Sequence, residues 1–162
     1  MNNLKGLFIC SLFVIFTTAC TNSSYVGMPN PWIDCGQDLK CAKNKAGFNF
    51  PVELSNCNIR AMEDMIEVEY PFNNKEVTIR KSKKFDGRGD ISGDYNNYPV
   101  NKEVSINYIK FNTRGNNDTD KIYVVNFSSN KSHYAIMCEK GLNLDEIWDL
   151  YSVIKQADKS EF

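Results

Sequence analysis

Two runs in the last third of the chain, Ile122 to Phe127 and His133 to Cys138, constrain the fold more than any other stretch. With Ser129-Asn130 as the turn centre, Val125 faces Tyr134 and Tyr123 faces Ile136. On the other side Val124 faces Ala135 and Ile122 faces Met137. Apolar side chains therefore stand on both faces of the pair. Such strands belong in the middle of a sheet that is covered on both sides, or covered on one side and lining a cavity on the other. His133, the only histidine, falls opposite Asn126 near the turn and reads as a surface or packing residue rather than a catalyst.

Upstream, the apolar period is again two. Ile66, Val68 and Tyr70 alternate with Glu67 and Glu69, and beyond Asn73-Asn74 the pattern resumes as Val77 and Ile79 against Thr78 and Arg80. A hairpin centred on the two asparagines sets Tyr70 against Val77, Val68 against Ile79 and, on the wet side, Glu67 against Arg80. An earlier strand around Ile59 to Met62 joins them. Val104 to Phe111 also has strand character. Tyr108 makes a left-handed turn residue costly at Asn107-Tyr108 and favours a bulged continuous strand there.

Helical spacing appears twice. Asp34 and Gln37 resemble a capping box, which predicts a helix from about Cys35 to Ala46 with Leu39, Ala42 and Ala46 inward, Lys43 and Lys45 at its negative end and Gly47 as a left-handed stop. Near the C-terminus, Asn143 and Glu146 form a second box with Leu142 and Ile147 at staple positions. Leu144, Ile147, Trp148, Leu150, Tyr151 and Ile154 then share a wide apolar stripe. Core packing explains these aromatics without a ligand box.

Between the strands lies Phe85 to Asn101, rich in Gly, Asp and Asn, with no apolar period. Loops of that length in compact domains are usually functional or mobile. Asp86, Asp90 and Asp94 recur every fourth residue, whereas an EF-hand-type calcium loop places its oxygens at every second one, so no metal is expected. Arg88-Gly89-Asp90 matches an adhesion tripeptide, too short a match to carry weight. In this reading nothing buried depends on the aspartates. The partner-binding candidates are Asp90, Asp94, Tyr95 and Tyr98, since tyrosines offer flat amphipathic contact area.

The N-terminus supplies an address. Lys5 precedes an apolar run from Leu7 to Phe16, about ten residues where a membrane span needs ~20, and Thr17-Thr18-Ala19 leads into Cys20. This pattern reads as a secretory signal over residues 1–19. Thr17-Thr18-Ala19-Cys20 resembles the lipobox of bacterial lipoproteins, which implies a diacylated Cys20 holding the protein to a membrane at its extracytoplasmic face. Ordinary secretion with a free Cys20 is the alternative. Residues 20–30 suit a flexible tether, and 31–158 a single domain.

Of the six cysteines, Cys35, Cys41, Cys57 and Cys138 remain after the signal and the lipid site. In an oxidising compartment four favour two disulfides. Cys35 and Cys41 point apart on a regular helix, so a bridge between them requires an unwound first turn, and the reading leans to bridges from this segment to Cys57 and Cys138. With 19 Lys+Arg against 20 Asp+Glu, generic nucleic-acid binding is disfavoured. No C-x-x-C pair supports zinc, and no cofactor is expected.

Taken together, Ala46-Gly47-Phe48, Asp90-Ile91-Ser92-Gly93-Asp94-Tyr95, Tyr134-Ala135-Ile136 and the helix entered through Gly141-Leu142 resemble an uncharacterised domain family of bacterial lipoproteins and membrane-anchored sporulation or anti-sigma-type proteins. Phe127 and Tyr108 depart from its pattern, at positions where Trp and Gly would stand. The resemblance implies an α+β domain: a curved antiparallel sheet of about five or six strands, with an N-terminal and a C-terminal helix packed on it. It implies no catalytic residues. The expectation is a lipid-anchored binding or sensing module for a protein or small ligand. The alternative is an extracytoplasmic hydrolase using carboxylates of the 85–101 loop. Against an enzyme stand the lone His133 and the absence of G-x-S-x-G and H-E-x-x-H.

Overall fold

A computed structural model describes residues 30–50, 57–83, 90–117, 119–129 and 131–159, with side chains to 156 in the last segment. Cys20, the signal, nearly all of the tether, Asp86 and the Arg88-Gly89 pair lie outside the described residues. The elements run β1 (Ile33–Gly36), α1 (Leu39–Ala46), β2 (Asn58–Met62), β3 (Met65–Phe72), β4 (Lys75–Ser82), β5 (Val100–Ile106), β6 (Ile109–Gly115), β7 (Ile122–Ser129), β8 (Ser132–Leu142) and α2 (Leu144–Lys159).

The eight strands form one sheet in the order β1-β2-β3-β4-β8-β7-β6-β5, antiparallel throughout. The expected sheet of five or six strands opening on a helix is therefore wrong. The two additional strands differ in origin: β1 has no counterpart in the expectation, and β5 includes the first part of the Val104 to Phe111 stretch, set apart from β6 by the Asn107-Tyr108 turn. β1 is four residues long and bulged. β5 is an edge strand whose Asn101, Lys102 and Glu103 are all exposed, so half of it carries no apolar signal. The sheet is two four-stranded meanders, β1–β4 and β5–β8, joined where β4 pairs with β8.

One face of this sheet carries the core. Ile59, Ile66, Val68, Val77, Ile79, Ile136, Val125 and Phe111 are fully buried and belong to one cluster with Ala42 and Ala46 of α1 and Ile147, Leu150 and Ile154 of α2. Both helices thus lie on the same side. Phe127 stacks on Tyr134 at 5.0 Å and meets Tyr151 of α2 edge-on at 5.4 Å. Burying one such side chain contributes roughly 1.5–3 kcal/mol.

The β3–β4 hairpin has the expected register, with Tyr70 against Val77 and Glu67 against Arg80. In the β7–β8 pair the turn centre moves one residue along, so Val125 faces Ile136, Phe127 faces Tyr134 and His133 faces Ser128. That slip changes partners by two positions and leaves each side chain on its expected face. Asn107-Tyr108 is a genuine hairpin turn, with φ of 48° and 66°. Pairing along the whole of β5 and β6 outweighs the strain of a left-handed tyrosine, and the bulged continuous strand does not form.

α1 begins later than the Asp34–Gln37 spacing predicts. Asp38 is its cap, accepting from Lys40 N at 2.8 Å and Cys41 N at 3.1 Å, while Gly47 closes it at φ 81°. Residues 33–36 instead pair with β2. Cys35 lies before the helix, which removes the geometric objection to a short bridge, and Cys35–Cys41 is a disulfide with Cα atoms 5.7 Å apart. The long-range bridges do not form: Cys57 and Cys138 are free and buried. At α2 the capping box stands as expected, with Glu146 N donating to Asn143 Oδ1 at 2.8 Å and Asn143 N donating to Glu146 Oε2 at 2.9 Å. Lys75 binds the same carboxylate at 2.6 Å and fixes α2 to β4.

Candidate functional site

The two-meander topology dictates where the long loop goes. The chain leaves β4 in the middle of the sheet and must re-enter at β5, the far edge, so it crosses β8, β7 and β6. Its described part, residues 90–99, lies on the face away from the helices, where Arg80 and Arg114 bind it. Strand alternation turns Arg60, Glu67, Arg80, Ala135 and Asn126 to that face as one cross-strand row, with Val124 and Arg114 beside it. Ala135 and Val124 are fully buried although neither belongs to the helix-side core, and Ile91 and Ser92 of the loop are buried as well.

Two arginines clamp the loop. Arg80 donates to the carbonyls of Ile91 and Ser92. Arg114, from the other side of β8 and β7, donates to Asp94 O at 2.9 Å and Ser92 Oγ at 2.8 Å, and pairs with Asp90 Oδ2 at 2.9 Å. Arg80 is held in turn by Glu67, whose Oε2 accepts from Nε at 2.7 Å, while Arg60 binds the other oxygen. Glu67 is only 1% exposed, so these two cations offset the cost of burying its charge. The Trp32 ring lies over both, 5.4 Å from the Arg80 guanidinium and 6.0 Å from that of Arg60. Gly93 has φ 65°, and a Cβ there would stand 2.6 Å from Arg80 Nη1, so the clamp needs glycine at this position.

Within the loop, the carboxylates bond to backbone two residues on: Asp90 to Ser92 N at 2.9 Å and Asp94 to Asn96 N at 2.8 Å. Asp94 also accepts from the Tyr98 hydroxyl at 2.8 Å. Partial burial opposes ionisation of Asp94, but the Asn96 and Tyr98 hydrogen bonds and the Arg114 charge outweigh it and hold the carboxyl below its usual range. Burial, followed by the bond to Asp94, pushes the Tyr98 phenol up. The Tyr98 ring stacks on Tyr123 at 5.4 Å, and Tyr123 accepts from Asn116 Nδ2 at 3.1 Å.

The loop forms a ridge that divides this face into two grooves. The larger, of about 720 Å³, has Thr78 and Met137 of the sheet along it, Asp94, Asn96 and Tyr98 of the loop on one side, and Glu76 and Glu139 at its edge. The smaller, of about 550 Å³, is more apolar, with Trp32, Met62, Met65 and Ile91 beside Asp90 and Tyr95. The four candidate residues are therefore split: Asp90 and Tyr95 face one groove, Asp94 and Tyr98 the other. Tyr95 is 93% exposed. The expectation that nothing buried depends on the aspartates is corrected, because both carboxylates are tied to the fold.

Neither aspartate is poised as a general acid. One is ion-paired, the other is held ionised, and they do not converge on one cavity. Burial raises the thiols of Cys57 and Cys138, the opposite of what a nucleophilic cysteine needs. Among the described residues no three His, Cys, Asp or Glu side chains gather as a metal-binding group. His133 bonds Ser128 Oγ at 2.9 Å at the far end of β8.

Sequence reasoning missed Trp32, Glu67, Arg80, Arg114 and Tyr123. Charge alternation assigned Glu67 and Arg80 to solvent. The signal that could have found them is topological: two meanders joined through their last strands demand a crossover, and a crossover buries whatever lies beneath it. No protein-family model matches the chain, and no curated protein or solved structure matches it either.

Proposed function

We propose that this chain is an exported, lipid-anchored binding module that engages its partner through the sheet face opposite the helices. The observation that carries this reading is the braced crossover. A loop fixed at Ile91, Ser92 and Asp94 by two arginines presents Tyr95 and Tyr98 from a rigid base, with a groove on either side. Pre-organisation of that kind lowers the ordering cost of binding. The anchor rests on the Lys5, Leu7 to Phe16 and Thr17-Thr18-Ala19-Cys20 pattern, which supports a module held at the extracytoplasmic face of a membrane.

Intact mass of the membrane-fraction protein tests the anchor: the expected species starts at a diacylated Cys20, and an unmodified Cys20 in the medium refutes it. For the face, a photo-crosslinking amino acid at position 95 in cells is expected to capture a partner that the same probe at Asp149, exposed on α2, does not. Equal capture at both positions, or none at 95, overturns the assignment.

A further inference from the structure

We infer that the larger groove binds a polyhydroxylated ligand without negative charge, a segment of neutral or amine-bearing glycan. This rests on the helix-free face being the binding face and adds the class of ligand. The groove runs beside the ridge over β4 and β8, which pair from Ser82↔His133 as far as Thr78↔Met137, with Glu76, Glu139 and Lys140 beyond the last pair. Three carboxylates, Glu76, Asp94 and Glu139, face it against Lys140, whose ammonium is bound to Asn74 O at 3.0 Å, with Arg114 beside Asp94 as the second cation. That balance repels phosphates, sulfates and carboxylates.

What remains is a site rich in acceptors with one flat wall. The side-chain oxygens of Glu76, Thr78 and Glu139 line the groove, where they can accept from ligand hydroxyl or amine donors. Tyr98 and Tyr123 form a stacked pair whose ring surface suits the C–H face of a sugar ring, and both hydroxyls are already oriented, by Asp94 and Asn116. Alternating ring stacking with hydroxyl-to-carboxylate bonds suits a molecule that is apolar on its faces and polar around its rim. The smaller groove differs in being more apolar and in setting Arg80 against its carboxylates, Glu63, Asp64 and Asp90.

The test is saturation-transfer NMR with calorimetry on the purified protein, using tri-N-acetylchitotriose, its de-acetylated trimer, maltotriose and a sulfated heparin disaccharide. At least one of the first three is expected to bind and the sulfated sugar is not. Tyr98→Ala is expected to weaken binding about tenfold or more, the loss of one hot-spot contact. Glu139→Gln, at an exposed position, is expected to weaken it several-fold, and Met65→Ala, in the other groove and outside the arginine clamp, to leave it unchanged. Equal binding by wild type and a folded Tyr98→Ala or Glu139→Gln variant overturns the proposal, as does preference for the sulfated sugar. Loss in Met65→Ala alone moves the site to the smaller groove and overturns it while the binding face stands. If no saccharide binds but position 95 still crosslinks, the ligand class fails alone. If both fail, the binding face fails with it.

Discussion

The two faces of this sheet are built from the same strands and held by different forces. On the helix side, Ile79, Ile136 and Val125 bury aliphatic surface against α2 and against each other. One residue along each strand, Arg80, Ala135 and Val124 turn the other way and meet a loop fixed by directed polar bonds. Apolar packing is non-directional and tolerates rearrangement, whereas a clamp of arginines on carbonyls works only in one geometry. The difference teaches where function can sit. The helix side is filled by fully buried side chains such as Ile79, Ile136 and Val125, while the clamped side is held by polar bonds and open along both flanks of the ridge.

Substitutions sharpen this contrast, beginning with the largest expected effect. Ile136→Ala, at a fully buried position among the packed strands, is expected to cost about 2–5 kcal/mol in urea unfolding. Arg80→Ala is expected to cost about 2–3 kcal/mol, because Glu67 keeps only Arg60 and two loop carbonyls lose a charged donor. It should also speed proteolysis between residues 90 and 98, which Ile136→Ala at matched stability does not. If Arg80→Ala behaved as an ordinary surface change, below about 0.5 kcal/mol, the two faces would not differ as described.

Smaller effects probe the clamp from the loop side. Gly93→Ala is expected to cost about 1–2 kcal/mol through its positive φ and its approach to Arg80. In the Arg80→Ala background the part due to the close approach disappears, so the double-mutant cycle is non-additive; full additivity would separate Gly93 from the clamp. Asp94 has a depressed folded-state pKa, so its contribution is complete above the unfolded value near about 4 and is lost as pH falls through the folded value. Asp94→Asn is therefore expected to flatten the acid limb of the stability curve while leaving the neutral-to-alkaline shape alone; an unchanged acid limb would contradict the bonds drawn to Asn96 and Tyr98. Smallest of all, Tyr108→Gly relieves a left-handed non-glycine turn and is expected to raise stability by a few tenths to about 1 kcal/mol. A loss instead would show that the exposed ring contributes contacts of its own.

Much of the helix-side face was legible in the sequence. The apolar period gave the β3–β4 register, both faces of β7 and β8, and the stripe of α2, since hydrophobic alternation reports burial against a core directly. The short β1 and the charged β5 were not, because edge strands need bury little. The clamped face was hidden for a related reason. Glu67, Arg80 and Arg114 look solvated by their charge, and only the crossing loop makes them interior. Asp90, Asp94, Tyr95 and Tyr98 were picked out by composition, but that they split between two grooves depends on the path of the backbone, which no local pattern encodes.

The single seam between the meanders also shapes how the chain reaches this structure. Within each half, strands that follow one another pair by short local closure, except that β1 reaches β2 across α1, whereas the β4–β8 pairs from Thr78↔Met137 to Ser82↔His133 join residues more than fifty positions apart. Closing that span is the entropically expensive step. We expect seam substitutions such as Ile79→Val to slow refolding, and substitutions in the arginine clamp, which can form only once both halves have met, to act mainly by accelerating unfolding. Stopped-flow refolding of the two variants separates these limbs. The ridge that carries the tyrosines would then be the last part of the molecule to form and the first to be released.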